Sequence, residues 1–182
     1  MKLSTLLEST TISTVDSLAD LKRVTEPVNV TGSVNLSDLK LARLPVKFGE
    51  VEYFYFYCSD NKLTSLEGAP SRVHKSFLCN HNLLTSLEGA PSQVRFFYCN
   101  HNQLTSLVGI HKIIKSCIGI DLSSNPIKEG GLGLLLIKGL DAINVDKPAF
   151  DIIAKYLGKG KRGMIDCQQE LIKAGYKDFA RL

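Results

Sequence analysis

The chain has 182 residues, 44% of them hydrophobic, and a formal net charge of +4. That is enough apolar material for one sizeable core, but far from the dense Lys/Arg stripe of a nucleic-acid binder. No apolar run is long enough to span a bilayer, and Met1–Glu8 carries an acid and hydroxyls where a secretory signal needs a continuous apolar stretch, so a cytoplasmic protein is expected.

Up to about Val24, hydroxyl residues alternate with apolar ones. Ser13 to Leu21 offers an N-cap followed by a periodic apolar stripe, which predicts a short amphipathic helix. With a strand over Val28 to Val34, this helix is expected to cap the open end of the repeats that follow, making residues 1–33 an N-terminal cap. Val34 to Pro45 reads as a divergent first repeat, with Leu36 and Leu39 at its key positions.

From Val51 to Ile127 one phrase recurs. It reads Cys58-Ser-Asp-Asn61-Lys-Leu63-Thr-Ser-Leu66-Glu-Gly-Ala-Pro70, then Cys79-Asn-His-Asn82-Leu-Leu84-Thr-Ser-Leu87-Glu-Gly-Ala-Pro91. A third copy is Cys99-Asn-His-Asn102-Gln-Leu104-Thr-Ser-Leu107-Val-Gly109, and a degenerate fourth is Leu122-Ser-Ser-Asn125-Pro-Ile127. The asparagines are 21, 20 and 23 residues apart, a period that belongs to leucine-rich-repeat solenoids. Two residues before each Cys stands Phe56, Phe77 or Phe97, and Ile120 precedes Leu122 in the same way. A period of two places each such pair on one face of a short strand, facing the core. The alternate positions (Tyr55 and Tyr57, Ser76 and Leu78, Phe96 and Tyr98, Gly119 and Asp121) then form an exposed wall that is rich in aromatic residues. Asn61, Asn82, Asn102 and Asn125 are expected to form a structural ladder by hydrogen-bonding the turning backbone. The Leu pairs that follow fill the core from the returning side before Gly-Ala-Pro turns the chain.

The phrase resembles the short leucine-rich repeats of tailed-bacteriophage proteins. The resemblance covers about 80 of the 182 residues. It implies a phage origin and an interaction module acting in the host cytoplasm, in a family mostly without assigned function.

After Ile127 the composition shifts to Leu, Ile, Lys and Gly. Gly133–Leu140 is apolar almost all round and predicts a buried helix over the last coil. Pro148–Leu157 predicts a second helix, with Pro near its start and Gly158 after it, and Met164–Tyr176 a third. The expected fold is therefore an α/β leucine-rich-repeat solenoid: a parallel sheet of about five coils (34–127), a short N-terminal helical cap (1–33) and a helical C-terminal subdomain (128–182).

Five cysteines is an odd count, and three of them sit at one inward repeat position, which fits reduced thiols. Cys79 with His81 and Cys99 with His101 are ligand types that zinc accepts, but gathering them would break the core, so no metal or other cofactor is expected. His74 and His111 lack an acidic partner at a recognisable spacing, and the chain has no nucleophile elbow, HExxH or phosphate loop, so no catalytic residue is assigned. Glu67 and Glu88 recur by duplication. Gly158–Gly163, with Lys161 and Arg162, reads as a solvated hinge. The residues expected to bind a partner are Tyr55, Tyr57, Leu78, His81, Phe96, Tyr98, His101 and Asp121, because exposed aromatic patches mark partner sites. Five strands showing about four residues each give a wall on the order of 300 Å². A standard interface buries roughly 800 Å² per partner, so a flank should contribute, and the helical end is the nearest. The expected partner is a host protein; the alternative is single-stranded nucleic acid, with Tyr and Phe stacking on bases while Lys161 and Arg162 hold phosphate.

Overall fold

A computed structural model describes residues 10–182 except Arg23 and Thr25. The chain climbs in about six turns of a parallel β-solenoid. In chain order the elements are β1 (Thr10–Ile12), β2 (Val28–Val30), β3 (Val34–Asn35), β4 (Phe48–Val51), β5 (Phe56–Tyr57), β6 (Arg72–Leu78), β7 (Gln93–Tyr98), α1 (Ile110–Ile113), β8 (Gly119–Asp121), β9 (Ala142–Asn144), α2 (Pro148–Ala154) and α3 (Gly160–Lys173).

The sheet runs as two parallel strips joined at an elbow. The first strip contains β1, β2, β4 and the opening residues of β6 and β7, and continues through single bridges from Gln93 to Ser116 and from Ser116 to Lys138. The second contains Val15, β3, β5, the closing residues of β6 and β7, then β8 and β9. Between Val73 and Ser76 the register shifts, and this is where one strip gives way to the other.

The period-two reading of the second strip holds. Phe56, Phe77, Phe97, Cys58, Cys79, Cys99 and Leu122 are fully buried, and Ile120 nearly so. The Phe rings stack up the solenoid at 5.2 and 5.7 Å between centroids, close to parallel, while Phe48 closes the column edge-on at 5.0 Å. Leu63, Leu66, Leu84, Leu87, Leu104 and Leu107 meet them from the returning side. In the Glu-Gly-Ala-Pro corner Gly68 and Gly89 have φ of 89° and 85°, and a Cβ on Gly89 would lie 2.6 Å from the backbone of Leu66, so only glycine fits there.

The asparagine ladder is built from bonds between coils. Asn82 Oδ1 accepts from the Leu63 N–H, while its Nδ2 donates to the carbonyls of Cys58, one coil back, and of Cys79. Asn102 and Asn125 repeat the pattern, and Asn61 accepts from both Leu39 and Leu41 while donating to Leu36 and Cys58.

Four expectations need correction. The sheet extends past 34–127 at both ends, because β1 and β2 pair below it and β9 above it, so the segment read as a cap is itself coiled. Within that segment the expected helix is a single 3₁₀ turn, Leu18–Leu21, closed by a Ser17–Asp20 capping box; the stretch before Thr10 lies outside the described residues. Gly133–Leu140 is no helix over the end. A 3₁₀ turn at Leu132–Leu136 occupies the return path that α1 takes one coil earlier, and Gly139 at φ 77° leads the chain back into β9. The later helices pack on the last coil, α2 against β9 and α3 against α2 and the 3₁₀ turn, with Phe150, Ile153, Cys167 and Leu171 buried. The expected hinge is shorter than Gly158–Gly163, since α3 already begins at Gly160.

An aspartate at position 82 keeps the acceptor of the ladder but loses both donors, leaving buried carbonyls less well matched at about 1–3 kcal/mol per group. Asn82→Asp and Asn82→Ala should therefore both lower the urea midpoint well below that of the exposed control Leu83→Ala.

Candidate functional site

The outer face of the second strip carries the predicted wall. The register sets Tyr57, Leu78, Tyr98, Asp121 and Asn144 in one row, with Ser76, Phe96 and Gly119 in the row two residues earlier. Tyr55 and Tyr98 are each 37% exposed, and Tyr57, Leu78 and Phe96 are half-buried. Tyr55 and Tyr57 stack at 5.6 Å between centroids. Ser76 is only 7% exposed, so it belongs to the floor of the wall, and Gly119 lies under Phe96, where a Cβ would come within 3.0 Å of the ring. Asp121 faces outward but is held locally, accepting from the N–H and Oγ of Ser123.

His81 and His101 lie at the lower border, where each strand turns into its ladder asparagine. Both adopt the left-handed conformation at φ 53°, and their rings stack at 4.2 Å. They are exposed, whereas Cys79 and Cys99 point into the core, so these four groups do not converge. Among the described residues no three His, Cys, Asp or Glu side chains gather as a metal would need, and no helix is long and apolar enough to cross a membrane.

Two aromatic residues of this surface escape a period-two reading. Tyr53 and Phe54, 65% and 45% exposed, stand on the elbow of the third coil. The elbow there is Glu52–Tyr55, against His74–Ser76 in the next coil and only Arg95–Phe96 after that, so its extra residues loop outward instead of continuing a strand. Tyr53 takes φ 68° and stacks on His74 at 5.6 Å. The shrinking distance from Val51, Val73 and Val94 to the following core Phe is the sequence signal for this loop. The helical end, expected to flank the wall, packs on the return side: α3 lies against the 3₁₀ turn at Leu132–Leu136, and Arg181 pairs with Glu129 at 2.7 Å.

Away from the wall, several titratable groups are shifted by their surroundings. His111 Nδ1 is buried without a partner against Gly133, and burial together with Lys112 and Lys115 holds its imidazole below the usual range. Tyr156 donates to Glu170 Oε2 at 2.7 Å, which pushes its phenol up to about 12 and ties α2 to α3. All five cysteines are free and buried; burial pushes Cys117 and Cys167 up to about 11, and Cys58 and Cys79 upward as well.

The chain matches no protein-family model, no curated protein and no solved structure.

Replacing Tyr57 and Tyr98 together by Ala strips the wall without opening the core, so the thermal midpoint should barely move. Phe77→Ala empties the stacked column and should cost about 3–5 kcal/mol. Equal losses would mean the two faces are inverted. The thiols yield a second expectation. Unfolded, they ionise near 9; folded, Cys117 and Cys167 hold their protons to about 11, so stability is full below pH 9 and falls as pH rises from there towards 11. Urea midpoints across that window should decline, and a thiol reagent should label the native protein only slowly.

Proposed function

We propose that this chain is a short-leucine-rich-repeat protein of a tailed bacteriophage that works by binding and not by catalysis. Its aromatic sheet face seats a host protein, such as a defence factor or toxin, in the host cytoplasm and modulates or inhibits it. The observation that carries this reading is the cluster of Tyr53, Phe54, Tyr55, Tyr57, Phe96 and Tyr98 on one side of the solenoid, with Tyr53, Phe54, Tyr55 and Tyr98 exposed. Strand stacking does not require them, since the core column beneath is already filled by Phe56, Phe77 and Phe97. Large amphipathic side chains that lose few rotamers on binding are the usual anchors of interfaces. A second reading, single-stranded nucleic acid, draws on the same rings as stacking platforms and on Arg95, which lies over Phe96 at 5.6 Å.

Affinity capture from host lysate with the wild-type chain and with the Tyr57→Ala/Tyr98→Ala variant tests the reading. One discrete protein should bind the wild type, rebind after purification and lose about 2 kcal/mol or more of affinity to the variant. Recovery of no protein, or equal recovery by both chains, sinks it.

A further inference from the structure

The wall alone is smaller than a standard interface, and the surface continuous with it is the outer face of the first strip. There the register lines up Glu50, Arg72, Gln93, Ser116 and Lys138 on successive coils. His74 and Arg95 stand beside them at the elbow and, with Arg72, Gln93, Ser116 and Lys138, line an open trough of about 420 Å³ that leaves Glu50 outside. No acidic side chain lies in its lining. Arg72 reaches Glu50 only at 3.9 Å, and its Nε is buried with no hydrogen-bond partner. Among the described residues neither Arg95 nor Lys138 forms an ion pair, and the guanidinium of Arg95 leans over Phe96, so trough and wall share a border.

We propose that this trough is the second half of the docking site and takes an acidic segment of the protein partner. Carboxylates of that segment pair with Arg72, Arg95 and Lys138 while its apolar side chains lie on the aromatic wall. The proposal rests on the reading of the sheet face as a protein-binding surface. Two strips together offer roughly twice the plan area of one, which approaches what a stable interface needs. Arginine suits carboxylates in particular, because its planar fork pairs with them in two parallel bonds. The extent of the charge favours a protein over a nucleic acid. The cations span only the coils from Arg72 to Lys138, about three strand spacings or roughly 14 Å. A phosphodiester chain, charged at every nucleotide, would run onto Glu50 and Glu52 on the coil before. A few carboxylates fit within the cationic stretch and avoid that clash.

Fluorescence anisotropy on the full chain can decide this with three labelled probes: a peptide of glutamates and aspartates around a single phenylalanine, its lysine counterpart, and a short oligothymidylate. At low ionic strength the acidic peptide should bind at least about tenfold more tightly than the lysine one, and added salt should weaken it. Arg72→Glu/Arg95→Glu should lose about tenfold or more, while Lys173→Glu on α3 should bind as the wild type does. Should the double reversal not fold, as judged by its melting curve, Arg95→Gln/Lys138→Gln replaces it with the same expectation of weakened binding. Absence of acidic-peptide binding, or binding indifferent to these variants, overturns the inference, and wall-dependent capture of a host protein would still leave the proposed function standing. Oligothymidylate binding more tightly than the acidic peptide overturns both.

Discussion

The matching of strand-end carbonyls by one carboxamide per coil is the constraint on which this structure depends. Where each coil leaves the second strip, its chain turns sharply through a left-handed residue (Asp60, His81, His101 or Ser124) and would leave carbonyls buried without donors. An asparagine supplies two donors and one acceptor on a side chain short enough to fit inside the turn. Its bonds are not only local. Asn82 is tied to Cys58 and Leu63 of the coil before it, and Asn102 to Cys79 and Leu84. The ladder thus fixes how one coil sits on the next, and the Phe column, five residues upstream of each asparagine, inherits that register. Close stacking of flat rings up the core follows from the same rise.

This dependence explains what could be read from the sequence. Phe-x-Cys, the asparagine and the two leucines recur at constant separations because each is locked to its copy one coil away, so the second strip, its buried face and its ladder were all legible. The first strip was not. Its core row is Val30, Val51, Val73 and Val94, with Cys117 on the coil after, and the elbow that separates them from the second strip varies in length. Alternation loses its phase across such an elbow. For the same reason β1 and β2 read as a cap, although their pairing makes them ordinary members of the sheet. Gly133–Leu140 misled in another way: a run of leucines beside glycines is apolar whether it forms a helix or the tight return of a coil, and only the pairing of Ser116 with Lys138 decides between them.

On the candidate site, sequence reasoning found the rows of Tyr57, Leu78 and Tyr98 but counted Ser76 and Gly119 as surface. Side-chain size overrode strand phase at both. Phe96 spreads across Gly119 because no Cβ stands in its way, and small neighbours let the large rings lie flat on the sheet rather than project from it. Much of the aromatic area is consequently half-buried in the free chain. Rings already held by stacking, such as Tyr55 on Tyr57 and Tyr53 on His74, would have less freedom to lose to a partner of the kind proposed.

The repeats also permit a comparison internal to the chain. On the return side the copies scarcely differ: Thr64-Ser65, Thr85-Ser86 and Thr105-Ser106 are the same pair, exposed or nearly so, and Glu67 is matched by Glu88. On the sheet side the same copies have diverged, with Tyr57, Leu78, Tyr98 and Asp121 at one position and Glu50, Arg72, Gln93 and Ser116 at another. The two sides of a coil are duplicated together, so the difference between them cannot come from the age of the repeats. Nor does packing demand it, since these positions point away from the core. The divergence is also ordered in space, because aromatic residues gather on the middle coils of the second strip while charge changes from Glu50 to Arg72 along the first. A surface shaped coil by coil, on a scaffold otherwise copied nearly unchanged, is the pattern that the proposed recognition of an irregular partner would require.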